Sequence, residues 1–188
     1  MRLGPKSTTR GYTLVEVLTV VVIIGILATL AVFGVRKYIY SAKSSEATHM
    51  IGSIKSAEES YRSDTYRYLT VTAGSTSLTS PNNYCPRKPD RKKASWVSLD
   101  AECRSGFEQL GVTSTAAVQF GYAVVAVEAG QAMPAVWSSE NYSWGNYATA
   151  PSPAYAVEAI GDLNGDTKYS KFISSNWDDR IYIEDEGE

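Results

Sequence analysis

One acidic side chain lies where its charge needs a partner. Glu16 stands at the start of an apolar run, and the nineteen residues from Val17 to Val35 carry no charge. A carboxylate carried toward the centre of a bilayer costs about 3 kcal/mol or more unless a cation compensates it. Glu16 therefore supplies the negative half of an ion pair, and we expect another molecule to supply the cation.

Two cysteines, Cys85 and Cys103, follow the apolar run. An even number of cysteines in an exported domain favours a disulfide, and two buried free thiols are the alternative. The only histidine is His49, and the sequence has neither a phosphate-binding glycine loop nor a Cys/His metal pattern. We therefore expect no enzymatic activity, no cofactor and no metal centre.

Two polar segments allow more than one interpretation. Asp162, Asn164 and Asp166 have the spacing of calcium ligands, but a hairpin turn at Asn164-Gly165 explains the same residues. The basic segment Arg87–Lys93 could contact nucleic acid or another polyanion, although no aromatic residue interleaves its cations. A solvated loop is the simpler interpretation, and a net charge of −2 gives nucleic acid no further support.

The elements that position these residues begin with the apolar run, which is long enough to cross a membrane as a helix. No proline interrupts the chain from Tyr12 to Tyr61, so the helix is expected to continue into an amphipathic half. Its predicted apolar stripe contains Ile39, Met50, Ile54, Ala57 and Tyr61, with Glu46, Lys55, Glu58 and Glu59 on other faces.

From Tyr66 onward, short apolar segments alternate with turn residues, which is typical of strands and loops. A short element is predicted within Trp96–Leu110, and strands at Val118–Glu128, Tyr155–Ile160, Tyr169–Ser174 and Arg180–Ile183. Short connections favour an antiparallel meander. The predicted fold class is α+β, with a long N-terminal helix, half of it transmembrane, packed on a small antiparallel sheet.

The N-terminal residues also resemble a known signal. The basic leader followed by Gly11-Tyr12-Thr13-Leu14-Val15-Glu16 closely resembles the class III signal of type IV pilins and pseudopilins, with Tyr12 for Phe and Val15 for Ile. The resemblance implies that a prepilin peptidase cleaves after Gly11 and that the new amine of Tyr12 is methylated. It also implies that Glu16 pairs with that amine on a neighbouring subunit, and that the fold is pilin-like.

The predicted organisation has four parts: a cleaved leader (1–11), a membrane and filament-core helix (12–35), its amphipathic continuation (36–65) and a β-rich head (66–188). By resemblance, the chain is a major or minor pilin that assembles with other pilins. It would pass from inner-membrane lipid into a surface filament for adhesion, motility or DNA uptake. A pseudopilin of a type II secretion system is one alternative. A membrane-tethered binding module that never polymerises is another.

Overall fold

A computed structural model describes residues 11–136, 142–145 and 147–187 of the 188-residue chain. The predicted leader, apart from Gly11, lies outside the described residues. The elements run in the order α1 (Leu14–Thr65), α2 (Ala101–Leu110), β1 (Gly121–Val127), β2 (Ala154–Gly161), β3 (Ser170–Ser175) and β4 (Tyr182–Glu184), with short 3₁₀ turns at Pro81–Asn83 and Trp96–Ser98. The predicted α+β class is confirmed.

The chain divides between Ile39 and Tyr40 into two compact units. In the first unit, α1 begins at Leu14 and its apolar side chains face outward. The second unit begins at Tyr40, earlier than the predicted head (66–188), and contains the rest of α1, helix α2 and the sheet; it is called the head from here on. Within the head, α1 ends at Thr65, where Tyr66 adopts a left-handed conformation and donates its N–H to the Arg62 carbonyl.

The sheet is an antiparallel meander in the order β1-β2-β3-β4. Its register pairs Val124 with Val157, and Glu158 with Ile173. The four predicted strands are present, each with its ends shifted by one to three residues. Single bridges from Val71 and Cys85 cover the free edge of β1, which protects backbone groups that would otherwise be open to another strand.

The head core lies between one face of the sheet and the head portion of α1. The buried helix residues are Ala47, Ile51 and Ile54, and strand β2 contributes alternate residues such as Tyr155 and Val157. The predicted apolar stripe is therefore only partly right: Ile54 is buried, Met50, Ala57 and Tyr61 are partly buried, and Ile39 is exposed.

The opposite face of the sheet is covered by the segment before the disulfide rather than by a helix. Leu78 and Tyr84 pack there against Val125 and Ile160. Because both of its faces are covered, every residue of β2 is buried. Helix α2 ends in a Schellman motif, in which Gly111 is left-handed and Val112 donates its N–H to the Phe107 carbonyl.

Candidate assembly site at the start of helix α1

The first turn of α1 is built from the Thr13-Leu14-Val15-Glu16 sequence. Thr13 precedes the helix, and its hydroxyl oxygen accepts the backbone N–H of Glu16 at 3.2 Å. A threonine followed three residues later by glutamate is the capping-box pattern, which satisfies otherwise unpaired N–H groups at a helix start. The threonine of the signal therefore has a structural use of its own.

The Glu16 carboxylate has no hydrogen bond or ion pair with any side chain in the described part of the chain. Its position in the first helical turn is electrostatically favourable, because the helix dipole is positive there. Tyr12, the predicted site of methylation, lies two residues before the helix and is 82% exposed. The structure therefore leaves both partners of the predicted ion pair accessible to another molecule.

The apolar residues after Glu16 form an uncovered surface. The large side chains from Val17 to Val35 are all at least half exposed. Within the described residues, α1 is the helix that is long and apolar enough to cross a membrane, and its most apolar eighteen residues are not buried. A buried core helix of a soluble protein would not show this exposure, so this segment needs lipid or another protein as its surroundings.

The comparison with known families concerns this same segment. Residues 6–32 match the family described as the prokaryotic N-terminal methylation motif. The chain carries that motif. The prediction of a class III signal is confirmed by this match, which spans Gly11, Tyr12 and Glu16.

The chain is also similar to a characterised protein. Over 59 residues, the chain is 39% identical to the fimbrial protein EcpC of Eikenella corrodens. That alignment covers 31% of the chain and 39% of the relative, so the chain spans well under half of that protein's length. This distant homology is consistent with the type IV pilin family. No solved structure matches the chain with significance.

The two cysteines of the chain form the predicted disulfide. Cys85 and Cys103 are bonded, with their Cα atoms 5.8 Å apart. The bond joins the segment on the edge of β1 to helix α2. It closes the loop that contains the basic segment Arg87–Lys93.

Intramolecular contacts use several groups of the basic segment. Arg87 forms an ion pair with Asp100, and Lys93 forms one with Glu46 at 2.9 Å. The other carboxylate oxygen of Glu46 accepts the backbone N–H of Gln119. These contacts support the solvated structural loop over a polyanion-binding site.

The turn between β2 and β3 uses the side chains that resembled calcium ligands. Asp162 is almost fully buried, and its two carboxylate oxygens accept the N–H groups of Gly165 and Thr167. Asn164 accepts the N–H of Asp166 in the same way. Gly165 and Thr167 both have positive φ angles, as tight turns require. Among the described residues, no group of three or more His, Cys, Asp or Glu side chains could hold a metal ion.

The sequence interpretation was wrong about Glu58. It placed this residue on a face away from the core, but Glu58 is fully buried on the side of α1 that packs against the rest of the head. Its Oε2 accepts the backbone N–H of Leu69 at 2.9 Å, and its Oε1 has no hydrogen-bond partner among the described residues. Burial is the main reason that the pKa of Glu58 is raised to about 7. Glu58 continues the helical spacing of the buried residues Ala47, Ile51 and Ile54, and this spacing could have predicted its burial.

Proposed function

We propose that this chain is a structural subunit of a type IV pilus-like filament. In this proposal it is held in the inner membrane by α1 before a prepilin peptidase cleaves after Gly11. The observation that carries the proposal is an uncovered apolar helix inside a methylation motif, and the carboxylate in its first turn has no partner among the described residues. Each of these features needs a second molecule, and a neighbouring copy of the same segment supplies both requirements.

Apolar burial alone does not drive the step from membrane to filament, because lipid is as apolar as the helix surface. Packing and electrostatic pairing must therefore favour the assembled state. Small residues at Gly25, Ala28, Ala31 and Gly34 would let neighbouring helices approach closely. The methylated amine of Tyr12 would supply the cation that Glu16 lacks among the described residues.

The proposed pair determines register more than it adds stability. Removing two charges from water costs several kcal/mol, which offsets much of their attraction in a dry filament core. An unpaired Glu16 in that core would carry the desolvation cost without the compensation. Subunits that enter with the amine in reach of Glu16 are therefore favoured over subunits displaced along the helix.

Glu16 also occupies the glutamate position of the capping box, so its two uses must be separated. The Glu16→Gln variant keeps a side chain that capping boxes tolerate, but it removes the charge. We expect Glu16→Gln and Glu16→Ala to reduce the amount of chain in sheared surface filaments by tenfold or more. Both variants should still insert in the membrane.

Thr19→Val is the matched control, because the Thr19 hydroxyl donates only to carbonyls of its own helix. This variant should assemble like the wild type. Normal assembly of Glu16→Gln would show that assembly does not need the charge, and the proposed ion pair would then be wrong. Recovery of the chain from a periplasmic secretion pseudopilus, rather than from surface fibres, would overturn the assignment to a pilus.

A further inference from the structure

The peptide bond between Gly11 and Tyr12, where the proposed cleavage takes place, lies outside helix α1. The helix begins at Leu14, and residues 11–13 adopt no regular secondary structure. Tyr12 is 82% exposed, and a methyl group added to Gly11 would meet no other atom within 4 Å. Exposed backbone without helical or strand structure is where proteases cut most readily. The bond is therefore accessible before any enzyme acts on it.

Thr13 makes the contacts that end this exposed segment. Its carbonyl accepts the N–H of Val17 at 3.2 Å, which is the first backbone hydrogen bond of the helix. Its hydroxyl oxygen accepts the N–H of Glu16, also at 3.2 Å. In a helix that began earlier, that N–H group would instead reach the carbonyl of Tyr12, four residues back. The Thr13 hydroxyl therefore occupies a donor that a longer helix would need.

The N-terminal sequence offers another place for the helix to begin. Three hydroxyl residues, Ser7-Thr8-Thr9, precede Gly11, and such residues are favoured as helix caps. In a helix capped by Thr9, the Gly11 carbonyl would accept the N–H of Val15, and the scissile bond would lie within the first turn. Gly11 disfavours that longer helix by an amount comparable to the effect of one cap. The glycine and the Thr13 cap therefore act together to keep the bond outside the helix.

We propose that Thr13 is a positioning residue for cleavage, because its hydroxyl holds the start of α1 at Leu14 and leaves the scissile bond non-helical for the prepilin peptidase. This inference rests on the proposed function, in which that enzyme cleaves after Gly11. Hydrolysis adds one water molecule across the bond, which leaves a carboxyl group on Gly11 and an amine on Tyr12. Thr13 takes no part in that step and acts only through the conformation of the backbone before it.

The expected effect appears in KM rather than in kcat. Without the cap, part of the chain adopts the longer helix and cannot bind productively, so KM rises as the competent fraction falls. The chemical step on a bound chain is unchanged, so kcat stays constant. Thr13→Val keeps the shape of threonine but lacks the oxygen acceptor. Because a lost cap changes the helix equilibrium by about fivefold, we expect this variant to raise KM by about twofold to fivefold.

Two further variants separate the cap from recognition of the side chain itself. Serine and asparagine cap helices at least as well as threonine, although asparagine has a different shape. Thr13→Ser and Thr13→Asn should therefore be cleaved with the wild-type KM. Thr19→Val is the matched control, because it also removes a hydroxyl, but one that donates only to carbonyls of its own helix. This variant should be cleaved like the wild type.

The test uses the full chain with its leader and a purified prepilin peptidase in the same detergent micelles. Mass spectrometry follows the formation of the product that begins with Tyr12 over a range of chain concentrations. The Cα chemical shifts of Gly11 and Tyr12, measured by NMR without the enzyme, report where the helix begins. They should move toward helical values in Thr13→Val and stay unchanged in Thr13→Asn.

An unchanged KM for Thr13→Val would overturn the inference. Slow cleavage of Thr13→Asn together with normal cleavage of Thr13→Val would also overturn it, since the enzyme would then recognise the shape of the side chain. Normal cleavage of every Thr13 variant would leave the proposed function intact. A wild-type chain that the peptidase does not cleave would overturn the inference and the proposed cleavage together.

Discussion

The buried carboxyl of Glu58 predicts an unusual dependence of stability on pH. The pKa of Glu58 is raised from its ordinary value of 4.5 to about 7, first by burial and then, to a smaller extent, by the charge of Glu59. The N–H of Leu69 opposes the shift by favouring the charged form. An acid whose pKa is higher in the folded state stabilises the fold below its unfolded pKa, and that stability is lost as pH rises through the folded value.

The magnitude follows from the two pKa values. A rise from 4.5 to about 7 corresponds to about 3 kcal/mol at 25 °C. Most of this difference falls between pH 5 and pH 8, where we expect the free energy of unfolding of the head to decrease by about 2.5 kcal/mol. The slope should flatten above pH 8, because Glu58 is then ionised in both states.

Glu58→Gln isolates this effect, because the amide keeps an acceptor for Leu69 but cannot ionise. We expect the variant to be about 3 kcal/mol more stable than the wild type at pH 8, and only about 1 kcal/mol more stable at pH 5. Urea denaturation of the full chain in micelles, followed by tryptophan fluorescence, measures both values.

Glu108→Gln on the exposed face of α2 is the control, and it should leave the wild-type pH slope unchanged. A wild-type free energy of unfolding that is flat between pH 5 and pH 8 would refute the reasoning. A Glu58→Gln variant that is less stable than the wild type at pH 8 would do the same, since it would mean that the buried charge is compensated.

Three further changes test the packing of the head, each by urea denaturation. Gly106→Ala would place a methyl group 2.8 Å from a Val71 methyl, so we expect a loss of about 1–3 kcal/mol; unchanged stability would mean that α2 shifts freely. Replacing Cys85 and Cys103 together by alanine should cost about 3 kcal/mol, and equal stability of the reduced wild type and the oxidised wild type would contradict this. Asp162→Ala leaves the N–H groups of Gly165 and Thr167 without their acceptor and should cost about 2 kcal/mol, with Asp162→Asn less damaging.

The fold class and the strand positions could be predicted because their signals are local. The uncharged run predicted the first half of α1. The apolar residues around Val124 and Val157 predicted strands within a few residues of their observed ends. The disulfide could also be anticipated from an even cysteine count, given an exported head.

Other features depend on contacts between distant segments, which no local pattern encodes. The burial of Glu58 was not predicted, because carboxylates are rarely buried. Its position along the helix, on the same side as Ile51 and Ile54, would have indicated burial. The Trp144 ring packs edge to face against the Trp177 ring, although the two residues lie in separate loops. The second face of the sheet is covered by an irregular segment around Tyr84. This segment has no helical or strand periodicity from which its packing could be predicted.

We propose that the chain is cleaved after Gly11, methylated at Tyr12 and assembled through its N-terminal segment. The most direct test is mass spectrometry of the N-terminal peptide of the chain recovered from sheared surface filaments. We expect that peptide to begin with N-methylated Tyr12. A chain that keeps Met1, or one that is found only in the membrane fraction, would contradict the proposal that it assembles.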